Sequence, residues 1–315
     1  MPIRIAVIAT NMIRIDESVA KGTEVFVHGY VRRLAERIEH DKLPMTVTVF
    51  ASGNSDFSVP IVSTGDLSSI EDPAIGLDNH KPFEMALVSK AFQMDSQFDM
   101  YHIHLSNGEH VLPFVPFTKK PVIITMHGGA SGAYIQALFD IYKDLPNVYF
   151  ISISDSQRRQ LPGVHYYRTI YHGIDLSRFA FSIDGGEPIM WAGRGIPDKG
   201  LDTVFDVINA VKKPAMVYPI LKSEHLAWLK TEILSRRHII REQSSLIMDF
   251  DVNREELSHK YRAAKLFLFP ICWDEPFGLV MAESLASGTP VVAYKRGSVS
   301  EVISNGEKGF VVCPE

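Results

Sequence analysis

An α/β protein built from two doubly wound units is the fold class this sequence predicts, and three observations carry the prediction. Short apolar runs rich in β-branched residues alternate with helical patterns along the chain, and the alternation restarts after residue 173. The 315 residues suffice for two domains of roughly 150 each. Continuous apolar strands separated by helices imply parallel sheets buried on both faces, joined by right-handed crossovers.

The first run, Arg4-Ile5-Ala6-Val7-Ile8-Ala9-Thr10, predicts a strand over 4–10, followed by a helical pattern over 23–40. Further strands are expected at 45–51, 100–105, 121–125, 148–152 and 167–171, with helices over 82–94 and 133–142. Residues 52–80, rich in Ser, Asp, Gly and Pro, read as one long surface loop. After Tyr171-His172-Gly173-Ile174-Asp175 comes an irregular stretch to Glu187, and Pro188-Ile189-Met190-Trp191-Ala192-Gly193 opens a new unit. The domains are therefore drawn as 1–173 and 174–315. In the second, strands are expected at 188–192, 215–219, 246–250, 266–269, 291–294 and 310–312, with helices over 201–211, 224–236, 254–264 and 277–286. Two such domains should face each other across a cleft, with ligands at the carboxyl ends of the strands.

Composition narrows the function classes. Apolar residues make up 46% and charged residues 22%, which excludes wholesale disorder. A net charge of −5 lacks the basic field of a nucleic-acid binder. Two cysteines, Cys272 and Cys313, make neither a disulfide framework nor a four-cysteine metal site, so a reducing cytoplasm is the expected location. The N-terminal apolar run is too short for a signal peptide, and no stretch of about 18 consecutive apolar residues occurs. Contact with a membrane surface stays open.

The most informative segment is Trp273-Asp274-Glu275-Pro276-Phe277-Gly278-Leu279-Val280-Met281-Ala282-Glu283, running on to Ser287-Gly288-Thr289-Pro290. It follows a strand, Pro276 and Phe277 fit a helix start, and Gly288 with Pro290 fits its end. The amides of Phe277, Gly278, Leu279 and Val280 would then be free helix N-terminal donors, suited to a diphosphate. Glu275 in the turn and Glu283 in the helix can accept hydroxyl hydrogen bonds from a nucleotide sugar; alone, two such glutamates are as ordinary as solvated surface residues. Arg194 and Lys199, in Ala192-Gly193-Arg194-Gly195-Ile196-Pro197-Asp198-Lys199-Gly200, lie directly after a strand. There they can neutralise a diphosphate and the charge that grows on it during bond cleavage.

This segment resembles the donor-site signature of the retaining glycosyltransferases of family 4, which have two Rossmann-like domains in the GT-B fold. Residues 266–312, including Arg296-Gly297-Ser298-Val299-Ser300-Glu301-Val302, follow the family pattern almost without gaps, and the resemblance covers nearly the whole chain. It implies that Glu275 contacts the donor sugar, that Glu283 contacts the ribose, and that Arg194 with Lys199 clamps the diphosphate. Thr125-Met126-His127-Gly128-Gly129 is similar to the family's strand-end histidine, which assigns His127 to sugar positioning rather than proton abstraction; a satisfied core histidine is the plain alternative. Lys21-Gly22-Thr23-Glu24 stands where the family has a Gly-Gly loop touching phosphate and acceptor. Lys21 replaces the first glycine, so the carry-over stops at Gly22 and the acceptor is expected to differ; a turn plus helix start explains the residues equally well.

The implied reaction is sugar transfer from a nucleotide-diphosphate donor to an acceptor hydroxyl with retention. It needs no obligatory metal or cofactor and runs by a front-face route in which the leaving diphosphate helps deprotonate the acceptor. The rivals are a nucleotide-sugar epimerase, a glycan phosphorylase of the same layout, and a non-catalytic nucleotide-sugar binder. The sequence ends just after the strand where family members continue through further helices; either it is a piece of a longer chain, or that side of the second sheet is left exposed or covered by a partner or second copy. Other features carry less. Asp249-Phe250-Asp251 matches a D-x-D metal motif but ends a second-domain strand. His102 and His104 share one strand face without a carboxylate or cysteine at ligand spacing, so zinc is not expected. Cys272 reads as a packed thiol, and Ser154 or Asp155 as a helix N-cap.

Overall fold

The computed structural model describes every residue except Ala20, Ser131, 237–244 and Glu315. In sequence the stretch 11–20 is long and polar, and its end, Ala20, lies outside the described residues. The chain divides into two compact units, Met1–Gly173 and Ile174–Glu315.

The first unit runs β1 (Ile3–Ile8), α1 (Gly22–His40), β2 (Met45–Phe50), β3 (Ile61–Val62), α2 (His80–Gln93), β4 (Met100–Ile103), β5 (Val122–Thr125), α3 (Ala133–Tyr142), β6 (Val148–Ser152), α4 (Asp155–Gln160) and β7 (Tyr166–Thr169). Its strands make one sheet in the order β3-β2-β1-β4-β5-β6-β7, with every pair parallel. The continuous apolar runs have a direct cause. Ala6 and Ile8 enter the core cluster holding Phe50, Leu87 and Tyr101, whereas Ile5 and Val7 enter the one holding Val27 and Val31 of α1. A strand covered on both faces has no side left for polar residues. Each large aliphatic side chain buried this way contributes roughly 1.5–3 kcal/mol.

The second unit repeats the plan with β8 (Ile189–Arg194), α5 (Leu201–Val211), β9 (Ala215–Ile220), α6 (Leu226–Ser235), β10 (Leu246–Met248), α7 (Arg254–Arg262), β11 (Leu266–Phe269), α8 (Leu279–Ala286), β12 (Val291–Tyr294), α9 (Val299–Val302) and β13 (Gly309–Val312). Its parallel sheet has the order β10-β9-β8-β11-β12-β13. Along β8, Met190 and Ala192 fill one core while Ile189 and Trp191 fill the other. In both sheets the chain winds outward from a central strand and then crosses to that strand's other side. The reversals fall between β1 and β4 and between β8 and β11, the position at which open α/β sheets generally bind their ligands.

Several expectations are corrected. Residues 52–80 are not purely loop: Ile61 and Val62 pair with Val49 and Phe50, a two-residue strand too short to show a period. β7 covers Tyr166–Thr169 rather than 167–171. The helix expected from 277 begins at Leu279, because Gly278 sits before it in the left-handed region at φ 80°. The 224–236 pattern is a 3-10 turn, Ser223–His225, that leads into α6. Of the two proposed caps for α4, Ser154 takes the role: its Oγ accepts the Gln157 amide at 3.0 Å.

Candidate functional site

In the second unit, the loops after β8 and β11 leave neighbouring parallel strands on the two sides of the reversal. This brings together residues 76 apart in sequence: Lys199 Nζ donates to Glu275 Oε2 at 2.7 Å. Both side chains are only 13% exposed. The ammonium also lies over the Trp273 ring, 4.8 Å from its centroid, a cation–π contact strengthened by partial burial. Local chemistry holds the lysine there. Trp191 Nε1 donates to the Lys199 carbonyl at 3.2 Å, and Gly200 follows in the left-handed region at φ 68°. A Cβ on Gly200 would stand 1.9 Å from the Pro270 carbonyl oxygen. Gly200→Ala is therefore expected to cost at least roughly 1–3 kcal/mol from backbone strain, read as a lower urea midpoint.

The turn carrying Glu275 is clamped from the loop after β12. The Ser298 amide donates to the Glu275 carbonyl at 2.9 Å, Ser298 Oγ to the Phe277 carbonyl at 2.9 Å, and the Gly297 amide to Asp274 Oδ1 at 3.1 Å. Gly297 and Ser298 thus act structurally, as a brace. A Cβ on Gly278 would press on Met281 Cε, the movable end of a flexible side chain, at 2.6 Å, so it is the left-handed φ of 80° that strains a larger residue there. Phe277 and Gly278 are buried in the turn, while Leu279 and Val280 form the first turn of α8.

Glu283 stands apart from that pair. It is 3% exposed, and its carboxylate is held by Arg254 of α7, with Tyr261 Oη donating to Oε2 at 3.5 Å. Burial pushes its carboxyl above the ordinary value against the pull of Arg254, and pushes the Tyr261 hydroxyl up as well. Arg194 ends β8 with its side chain exposed. The carboxylates of the D-x-D stretch are engaged by backbone, Asp249 Oδ1 by the Phe250 amide and Asp251 Oδ1 by the Leu221 amide, at 2.9 and 2.8 Å.

The first unit holds a second concentration of polar groups at the carboxyl end of its sheet. His104 Nδ1 lies 2.9 Å from His127 Nε2, and His127 Nδ1 lies 3.4 Å from His172 Nε2. His102 is bonded on both ring nitrogens, to Tyr30 Oη and Thr125 Oγ1, each at 2.9 Å. Phe26 packs against His127 and His172 with centroids 5.3 and 4.2 Å away. Burial pushes His102 and His172 down to about 4 and holds His104 and His127 well below the ordinary histidine value. All four are therefore neutral near pH 7. Gly22 is the first residue of α1, whose N-cap residue, Lys21, makes no side-chain cap hydrogen bond.

Sequence reasoning singled out His127, Arg194, Lys199, Glu275 and Glu283 but missed their partners Trp273, Arg254, Tyr261 and His172. Trp273 lay inside the quoted segment; Arg254 and His172 carried no local signal, because only the strand order brings them in.

Two parallel α/β units of this strand order make the GT-B fold, the class to which solved glycosyltransferases of similar structure belong. Residues 174–315, the whole second unit, match the family model for glycosyl transferases group 1. Over 242 residues, 69% of this chain and 56% of the relative, the sequence is 29% identical to a glycogen synthase of Mycobacterium tuberculosis. The chain spans between 25% and 56% of the length of the glycogen synthases it matches. In structure it is similar to sucrose-phosphate synthase from Thermosynechococcus elongatus, with a TM-score of 0.79 at 18% identity over 99% of this chain and 86% of that one. Anabaena HepE, solved in complex with UDP and glucose, gives a TM-score of 0.73 at 16% identity, again over 99% and 86%. Among the described residues, no helix is long and apolar enough to cross a membrane.

Proposed function

We propose that this protein is a retaining glycosyltransferase that moves a sugar from a nucleotide-diphosphate donor to an acceptor hydroxyl. The observation that carries the reading is the Lys199–Glu275 pair, a cation and a carboxylate 2.7 Å apart at the carboxyl end of the second sheet. Without ligand each neutralises the other. A nucleotide sugar separates them: the diphosphate takes Lys199 and Arg194, and the sugar hydroxyls take Glu275. The first-turn amides of α8 with Phe277 and Gly278 add donors to the diphosphate, and Glu283 turns from Arg254 to a ribose hydroxyl. His127 and Gly22 serve the sugar and the acceptor.

As the bond from the anomeric carbon to the phosphate oxygen breaks, its electron pair leaves with the diphosphate. Preplaced cations stabilise that developing charge more than they stabilise the bound substrate. The acceptor oxygen bonds to the same face of the anomeric carbon, and its proton passes to the departing phosphate oxygen. Lys199 and Arg194 take the charge-neutralising role, so the reading requires no metal and no resident cofactor. The two free thiols, Cys272 and Cys313, suit a reducing cytoplasm.

The test is a panel of nucleotide sugars scored by thermal shift and then by product analysis. At least one donor is expected to raise the melting temperature, and its transferred sugar is expected to keep its anomeric configuration. Binding without transfer over a broad acceptor panel would support the non-catalytic rival, and an inverted product would remove the front-face route.

A further inference from the structure

We propose that Trp273 is a positioning residue for Lys199: its indole face keeps the ammonium in place when Glu275 leaves it for the donor sugar, so that the freed cation turns its hydrogens to the diphosphate. The proposal rests on the diphosphate role given to Lys199 above, and it names what holds that lysine once its carboxylate partner is taken.

Two loops build the contact. Lys199 ends a 3-10 turn, Pro197–Lys199, just after β8, and Trp273 follows β11 in the turn that also carries Glu275. The Cys272 amide donates to the Asp198 carbonyl at 2.9 Å, so the residues next to Trp273 and Lys199 are joined backbone to backbone. The lysine main chain is fixed as well: its amide donates to the Ile196 carbonyl at 3.2 Å, and its carbonyl accepts from Trp191 Nε1 at 3.2 Å. Trp273 packs, partly buried, against the core cluster holding Tyr261, Phe269 and Met281, which makes its ring a supported plate.

The lysine stem itself is flexible and ends in a compact cation, so its direction depends on what the ammonium touches. It touches two partners of different kinds: Glu275 Oε2 at 2.7 Å, and the Trp273 ring with its centroid at 4.8 Å. Sugar hydroxyls compete for the first, because they donate to the same carboxylate. They leave the second in place, since it is the attraction of a cation to the negative face of a ring. That face repels an anionic diphosphate, so the ring holds the ammonium without competing with the ligand for it. An ammonium carries three N–H donors, and contact with the ring on one side leaves donors for phosphate oxygens.

The indole nitrogen points the same way. Trp273 Nε1 is buried with no hydrogen-bond partner among the described residues. A buried donor left unmatched costs stability, and a phenylalanine or leucine at this position would avoid that cost. What the tryptophan contributes is its ring face, the strongest cation site among the aromatic side chains.

The experiment is a 1H–13C correlation spectrum of the full chain with 13C-labelled lysine, in which the Lys199 signals are assigned against Lys199→Met. An indole face shifts protons above it upfield. The Lys199 Cε methylene is therefore expected upfield of the ordinary lysine position, to stay there in Glu275→Ala, and to return in Trp273→Leu; Glu275→Gln serves where the alanine variant does not fold. A methylene at the ordinary position in the unsubstituted protein, or one that returns when Glu275 is replaced, overturns the proposal. With an active donor in hand, Trp273→Leu raises its KM about tenfold, and Trp273→Phe, which keeps a ring face, recovers most of the loss. In a Lys199→Met background Trp273→Leu adds nothing, because the ring acts through the lysine. An equal loss in both backgrounds, or a loss in Trp273→Phe as large as in Trp273→Leu, makes Trp273 a packing residue and overturns the proposal. Absence of transfer from every nucleotide sugar overturns the reaction proposed above, while the spectra still decide what holds the lysine.

Discussion

Lys199→Ala is expected to lower sugar transfer about 10²–10³-fold, the usual loss when one preorganised charge partner of the transition state is removed. The same substitution should destabilise the second unit by roughly 2–3 kcal/mol, because it leaves the Glu275 carboxylate largely buried without its cation. These two effects separate cleanly. Lys199→Met combined with Glu275→Gln removes both charges, so stability should recover while transfer stays lost. Urea midpoints and turnover with one donor check both halves. Near-normal turnover in Lys199→Ala would sink the diphosphate assignment, and an unchanged midpoint would show that the pair does nothing for the fold.

The second large effect is acid lability of the first unit. Four neutral histidines are held below their ordinary value of about 6.5, with His102 and His172 pushed down to about 4. The unfolded chain thus binds more protons than the folded one below that ordinary value. The stability is complete above about pH 6.5 and is withdrawn as pH falls toward the folded values. By pH 5, His102 and His172 together withdraw roughly 4 kcal/mol, and His104 and His127 act in the same direction. Glu24, whose buried carboxyl is held above its ordinary value, opposes this, and its protonation falls at the acid end.

All three tryptophans, Trp191, Trp228 and Trp273, belong to the second unit, so their emission does not report on the first. Hydrogen exchange over β4 and β5, corrected for intrinsic rates, should lose protection between pH 6.5 and 5 ahead of the tryptophan transition. His172→Gln should reduce that acid sensitivity. Flat protection across this range would remove the buried neutral cluster.

Much of the architecture was legible because each strand is covered on both faces. A run such as Ile5-Ala6-Val7-Ile8 sends alternate residues into two cores, and only a buried parallel strand asks for that. Helix edges were legible where turn chemistry marks them and misplaced where it is ambiguous. Pro276-Phe277 reads as a helix start, yet the left-handed Gly278 holds the chain out of the helix until Leu279.

What the amino-acid order settled by itself is local: periodicity, turns, caps, and the placing of Lys199, His127 and Glu275 just beyond strand ends and of Arg194 at one. What only the tertiary structure decided is which of those groups meet. Lys199 finds Glu275, Arg254 finds Glu283, and His104 finds His127 across gaps of 76, 29 and 23 residues. The physical reason is that backbone preferences act over a few neighbouring residues, whereas strand order and register choose which distant loop ends lie side by side.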